Sequence, residues 1–175
     1  NLVYDTYTYS ASHYSYSVEF VHCTNTDCST NVPRTIIQQS LPGGNGWYES
    51  LTVAKAPDGL ARILYVDNFA DDLNFVRCTN YDCSASTTAV IDSNDDGFHT
   101  SMAIGADGLA RVLYGNRSQQ LIYKACADAD CSNIASSYIV ATSDNYNKFM
   151  GDIALTSSDL PLISFARYNL DDLKT

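Results

Sequence analysis

An all-β fold built from a repeated four-stranded antiparallel unit is what this sequence predicts, on three observations. Composition favours strands: Tyr occurs 13 times and charged residues make up only 17% of the chain, and Tyr, Val, Ile and Thr suit the pleated surface of a sheet. A block recurs: Ser50-Leu-Thr-Val…Asp58-Gly-Leu-Ala-Arg-Ile-Leu-Tyr65 returns as Ser101-Met-Ala-Ile…Asp107-Gly-Leu-Ala-Arg-Val-Leu-Tyr114. The six cysteines form three Cys-x4-Cys pairs, Cys23/Cys28, Cys78/Cys83 and Cys126/Cys131, each ending in Asp-Cys-Ser.

A third, weaker copy of the block runs Asp152-Ile-Ala-Leu…Ser158-Asp-Leu-Pro-Leu-Ile-Ser-Phe165. An aromatic precedes each copy, at Trp47, Phe98 and Phe149, with a constant step of 51 residues. The cysteine pairs step by 55 and then 48 residues, so loops vary while strands persist. Each full unit reads as strand a near Ser50–Ala54, b near Ala61–Val66, c near Leu73–Cys78 and d near Thr87–Ile91. The Asp58-Gly59 pair joins a to b as a tight hairpin turn, and the cysteine loop joins c to d. Along b, Ala61, Ile63 and Tyr65 point one way, and Leu60, Arg62 and Leu64 the other. Both faces are largely apolar, so both need a covering neighbour. A unit stacked between two others satisfies this, as a propeller blade does.

The two ends are cut differently from the middle. Asn1-Leu-Val-Tyr4-Asp5 matches the end of strand b, and Asp171-Asp-Leu-Lys-Thr175 matches Asp71-Asp-Leu-Asn-Phe75 at the start of c. The chain therefore reads b-c-d, a-b-c-d, a-b-c-d, a-b-c: about 3.5 repeats and fourteen strands, with units near 1–46, 47–97, 98–148 and 149–175. Bare sheet edges are hazardous, so the end units are expected to be completed. The assembly edges would be Leu2, Val3 and Tyr4 at one end, and Leu162, Ile163, Phe165 and Leu173 at the other. Completion would come from a second copy in a ring, from head-to-tail copies in a filament, or from further blades of a longer chain.

Charge limits the partners. With 20 acidic and 10 basic residues and a net charge of −10, nucleic acid and anionic membranes are disfavoured. No run reaches the roughly 18 apolar residues of a membrane span. The chain starts at Asn1 rather than Met, which fits a processed mature protein or an excised fragment. The cysteine pairs read as local disulfides and hence as a secreted, extracellular protein. Metal thiolates are the alternative, but zinc sites use tighter spacing and often add His, and no His recurs with these pairs.

Candidate sites are few. Asp92-Ser-Asn94-Asp-Asp96-Gly97 alternates carboxylate and amide oxygens around a turn, the arrangement that wraps calcium. The alternative is a polar turn held by its own side chains. No other cofactor is indicated. His13, His22 and His99 sit in different repeat contexts, and Asp71/Asp72 and Asp171/Asp172 read as turn carboxylates rather than an acid pair. No catalytic residue is assigned and the chain is expected not to be an enzyme. Tyr4, Tyr7, Tyr9, Tyr14 and Tyr16 suit either a sugar or protein surface or a long b–c hairpin. Asn116-Arg-Ser118 is a glycosylation sequon.

The pattern Ser-Leu-x-(Ile/Val)-x-x-Asp-Gly-Leu-x-x-(Ile/Val)-x-Tyr, followed by Leu-x-(Phe/Tyr)-x-x-Cys-x4-Cys, resembles secreted, mainly bacterial, propeller-like repeat proteins with units of about 50 residues. The resemblance covers nearly the whole chain and implies architecture rather than activity. Arg62 and Arg111 stand where an apolar or β-branched residue is expected, and Gly59 has no counterpart at Ser158-Asp159. Asp92–Asp96 is similar to the first half of an EF-hand loop. Ser93-x-Asp95-x-Gly97-x-x-Thr100 resembles a sialidase Asp-box with its Thr one place late. A self-assembling structural or adhesive protein is expected, with a lectin-like glycan- or protein-binding module as the alternative.

Overall fold

The computed structural model describes every residue except 1, 11–12, 43–49, 68–69, 94–97, 144–147 and 169–175. All regular elements among the described residues are strands, arranged in antiparallel sheets with no closed barrel. β1 (Leu2–Ser10), β2 (His13–Cys23) and β3 (Asn31–Pro42) form the first sheet. β4 (Leu51–Lys55), β5 (Ala61–Asp67), β6 (Asp72–Cys78) and β7 (Ser86–Asp92) form the second. β8 (Phe98–Ile104), β9 (Ala110–Gly115), β10 (Gln120–Cys126) and β11 (Ile134–Thr142) form the third, and β12 (Lys148–Leu155) pairs with β13 (Pro161–Tyr168) in the fourth. Each sheet is a meander, with strands paired in chain order. The fourteenth expected strand, around 171–175, lies outside the described residues.

Turn chemistry explains the meander. Ala56 N–H donates to the Leu60 carbonyl, Gly59 N–H donates to the Ala56 carbonyl, and Gly59 has φ 84°. This is a three-residue loop with a left-handed third position rather than a two-residue Asp-Gly turn. Gly105–Leu109 repeats it with Gly108 at φ 78°. In the fourth sheet Asp159 takes the same position at φ 58°. A short polar residue tolerates that region, so the missing glycine does not break the pattern.

The register makes the repeat explicit. Tyr4 lies opposite Glu19, Tyr65 opposite Asn74 and Tyr114 opposite Ile122, each partner four residues before the first cysteine of its loop. Strand a differs from the sequence alignment. Val53 pairs with Ile63, Met102 with Val112 and Ile153 with Ile163. Ser50 and Ser101 are therefore not register equivalents. The second unit carries two more residues between its serine and its turn, and they lie in the strand, because both turns have the same length.

Alternation places the core between sheets. Val18, Phe20 and Val3 of the first sheet pack with Ala61, Ile63, Tyr65 and Val76 of the second. Leu64, Val66, Leu73 and Phe75 pack with Met102, Val112, Tyr114 and Ile122 of the third. Leu113 and Leu121 pack with Phe149, Ile153 and Ile163 of the fourth. All seven residues of β5 are buried, because that strand has a sheet on each side. Each such aliphatic side chain contributes about 1.5–3 kcal/mol relative to exposure.

Candidate functional site

Polar contacts stitch neighbouring sheets along their edges. Arg34 on β3 pairs with Asp82 in the second cysteine loop at 2.9 Å, and Arg77 on β6 pairs with Asp130 in the third at 2.9 Å. Arg34 and then the Ser84 hydrogen bonds hold the Asp82 carboxyl down at about 2. Arg77 holds Asp130 below its usual range in the same way. Arg117 on the β9–β10 turn reaches Asp71 on the β5–β6 turn at 3.2 Å. Nearer the first strands, the Ser50 and Thr52 hydroxyls bond Thr100 of β8, and Ser101 bonds Asp152 and the Ile153 N–H of β12. Ser50 and Ser101 are buried, so these bonds satisfy groups that would otherwise be costly to hide. Sequence reading missed these pairs. The available signal was opposite charge about one repeat apart, 48 residues for Arg34–Asp82 and 53 for Arg77–Asp130.

All three cysteine pairs are disulfides: Cys23–Cys28, Cys78–Cys83 and Cys126–Cys131. The second cysteine of each pair sits left-handed, at φ 56°, 54° and 53°. Around it the loop satisfies itself. Asn25 accepts from the Thr30 N–H and donates to Ser29, and Asp27 accepts from the Ser29 N–H and hydroxyl. Asn80, Ser84 and Asp82 repeat this in the second loop. In the third, Asp128 takes Ser132 and Asn133, which leaves Asp130 to Arg77 and Thr87. These are structural closures, and the sulfurs are committed to bonds with one another rather than to a metal.

The calcium candidate has its first position engaged elsewhere. The Asp92 carboxylate accepts from the Tyr114 hydroxyl and from Lys124 Nζ at 3.1 Å, and from the Ser93 N–H at 3.0 Å. Lys124 Nζ also donates to the Ile91 carbonyl at 2.7 Å and lies 5.6 Å from the Tyr114 ring centroid. Asp92 therefore locks the second sheet to the third. Asn94, Asp95, Asp96 and Gly97 lie outside the described residues. Among the described residues no group of three or more His, Cys, Asp or Glu side chains is placed to hold a metal.

The remaining candidates have structural places. Asn116 is buried. It accepts from the Gln120 N–H at 2.8 Å and donates to the Gln120 side chain at 3.1 Å, so its amide closes the β9–β10 turn and does not stand free for a glycan. Asp71 is tied to Arg117, and Asp72 lies opposite Asp67 on β5; Asp171 and Asp172 lie outside the described residues. His13 and His22 are on β2, and His99 is on β8, where it has φ 49°. The His22 ring lies 6.5 Å from that of Tyr81. The first-unit tyrosines fall on the long β1–β2 hairpin, with Tyr7 opposite Tyr16 and Tyr9 opposite Tyr14. Arg62 and Arg111, unexpected at inward positions, are each neutralised at 2.7 Å by the turn carboxylate four residues before, Asp58 and Asp107. Burial pushes the Asp58 carboxyl up, but Arg62 and the Leu60 N–H outweigh it, and the group sits below its usual value.

The terminal faces differ from the internal ones. By turn register, Leu162 on β13 is the equivalent of Arg62 and Arg111. Arg62 is 2% exposed, whereas Leu162 is 58% exposed. Met150, Leu160 and Phe165 are exposed with it. Two shallow concavities of about 350 and 250 Å³ lie on this sheet, both bordered by Asp152 and Ser164. Ile163 points the other way and packs on the third sheet, and Phe165 meets Phe149 edge to face at 5.9 Å. At the other end Val3 packs on the second sheet, while Tyr4 is 44% exposed where Tyr65 and Tyr114 are buried. Leu2 is on β1 opposite Val21; Leu173 lies outside the described residues. Met150 and Leu160 belong to this exposed surface and were not legible as such, because the weak third copy blurs their register.

No family model matches the chain, and no curated protein matches it. Among solved structures it is similar to an exo-β-1,3-galactanase from Phanerochaete chrysosporium bound to β-1,3-galactotriose, at 11% identity and a TM-score of 0.48. The match covers 98% of this chain and 47% of that one, so this chain spans about half the length of that protein. A likeness this loose establishes neither a common fold nor a common activity. Among the described residues no helix is long and apolar enough to cross a membrane.

Proposed function

We propose that the chain is a propeller-like array of four-stranded blades, secreted, and that it serves as a structural or adhesive module completed at its open ends by another polypeptide. The observation that carries this reading is the contrast between one register position covered in the second sheet (Arg62, 2% exposed) and bare in the fourth (Leu162, 58% exposed). A blade-like arrangement is supported by the first strands of successive sheets, β4, β8 and β12, which lie next to one another as inner strands of a propeller do. Three disulfides support an oxidising compartment. A catalytic role is not assigned: of the described carboxylates of the candidate sets, Asp71 and Asp92 neutralise Arg117 and Lys124, and Asp72 lies opposite Asp67 in the sheet. A second reading, glycan or protein binding, is favoured by Tyr81 and Tyr138, which are 65% and 63% exposed. Sedimentation velocity over a rising concentration series, run beside a glycan array, separates the two. Mass that grows with concentration and an empty array support assembly. A monomer at the highest concentration with array hits supports binding.

A further inference from the structure

This inference rests on the assembly reading and specifies its interface. Within the chain every sheet-on-sheet contact has the same polarity. The face carrying Leu64 or Leu113 meets the next sheet's face carrying Met102, Val112 and Tyr114, or Ile153 and Ile163. Tyr65 and Tyr114, at one register position, are buried by the sheet before them, at 4% and 0% exposure. Tyr4 holds that position in the first sheet and is 44% exposed. At the other end, the face that would receive such a tyrosine has changed chemistry. The Arg–Asp ion pair of the second and third sheets, whose arginine is largely covered and whose aspartate is exposed, is replaced by Leu162 and Ser158, and Met150 lies on the same side. Leu162 and Met150 stand exposed on this face beside Asp152, with Ser164 at the register position of Leu64 and Leu113.

The geometry points to a second copy of this chain as the occupant, docked head to tail: the Tyr4 face of one copy on the Leu162–Met150 face of the next. It continues the stacking already present three times within the chain. The two faces are different surfaces, so the contact is heterologous and repeats into a ring or a filament rather than stopping at a two-fold dimer.

Two variants test it. Tyr4→Lys should disable the head and Leu162→Asp the tail. Both positions are exposed, so folding should survive, which is checked by the thermal transition. Each variant alone should associate at least about tenfold more weakly than the parent chain. Mixed in equal amounts, the two should form a discrete one-to-one pair, because one copy keeps its tail and the other its head. In a tail-to-tail dimer Tyr4→Lys would still self-associate, and that result overturns the proposal while leaving assembly standing. A parent chain that stays monomeric to near-millimolar concentration overturns both.

Discussion

The stacking of the fourth sheet on the third can be tested through the sign of one substitution. Gly151 lies on β12, and its backbone is outside the left-handed region, so alanine is allowed there. A glycine inside a strand is about 0.5–1 kcal/mol worse than alanine. In open space, Gly151→Ala would therefore stabilise. In this structure the new methyl would lie 2.8 Å from Leu113 Cδ2 and 3.3 Å from the Ser164 carbonyl oxygen. Carbon pairs rest at about 3.5–4.0 Å, so Leu113, fully buried on β9, would have to shift by roughly 0.7 Å or more. Overpacking of this kind costs about 1–3 kcal/mol. The expected net result is destabilisation by about 1–2 kcal/mol, or a fall in Tm of about 2–8 °C for a chain of this size. Leu113→Ala alone should cost about 2–5 kcal/mol, but it opens the space that the methyl needs. In that background Gly151→Ala should be neutral or stabilising. Urea denaturation of the four proteins gives the coupling directly. The stacking is refuted if Gly151→Ala stabilises the parent chain, or costs the same in both backgrounds.

Two further outcomes are expected. Asp82, Asp107 and Asp130 have carboxyls held below the usual value by Arg34, Arg111 and Arg77, with Asp82 at about 2. Their folded pKa is depressed, so their contribution is complete above about pH 4 and is lost as pH falls toward about 2; Tm measured against pH should drop through that window and drop less in Arg34→Ala, and an unchanged slope would remove these pairs from the account. Replacing Cys78 and Cys83 together with alanine should cost about 2 kcal/mol and about 4–8 °C; differential scanning calorimetry showing no change would mean that the loop's own hydrogen bonds suffice.

Much of this was legible because each device is local. The three cysteine loops, the Asp-Gly turns and the alternation in β5 are written within a few residues, and the structure places them where the repeat puts them. What was not legible depends on neighbours. Arg62 looked out of place on an inward face until Asp58, four residues earlier, supplied its counter-charge. Asp159 hid the third turn because only its backbone, not its side chain, resembles glycine. Asp92 read as a cation ligand because its partners, Tyr114 and Lys124, belong to the following sheet. The extra length of strand a in the second unit was masked by a constant aromatic spacing that counts residues rather than register. Of the candidate edge residues, Tyr4 and Leu162 are exposed, whereas Ile163 packs on the third sheet.

The polar stitches and apolar layers share one property: each joins a sheet to its immediate neighbour in the chain. Stability in such a molecule is a chain of nearest-neighbour terms rather than one indivisible core. Amide exchange should then be slowest in β5 and β9, flanked on both sides, and fastest toward either terminus. Growth follows the same logic. A duplicated unit inserted between two others replaces one interface with two of the same kind and leaves every existing turn and loop undisturbed, so copy number is a free variable for evolution.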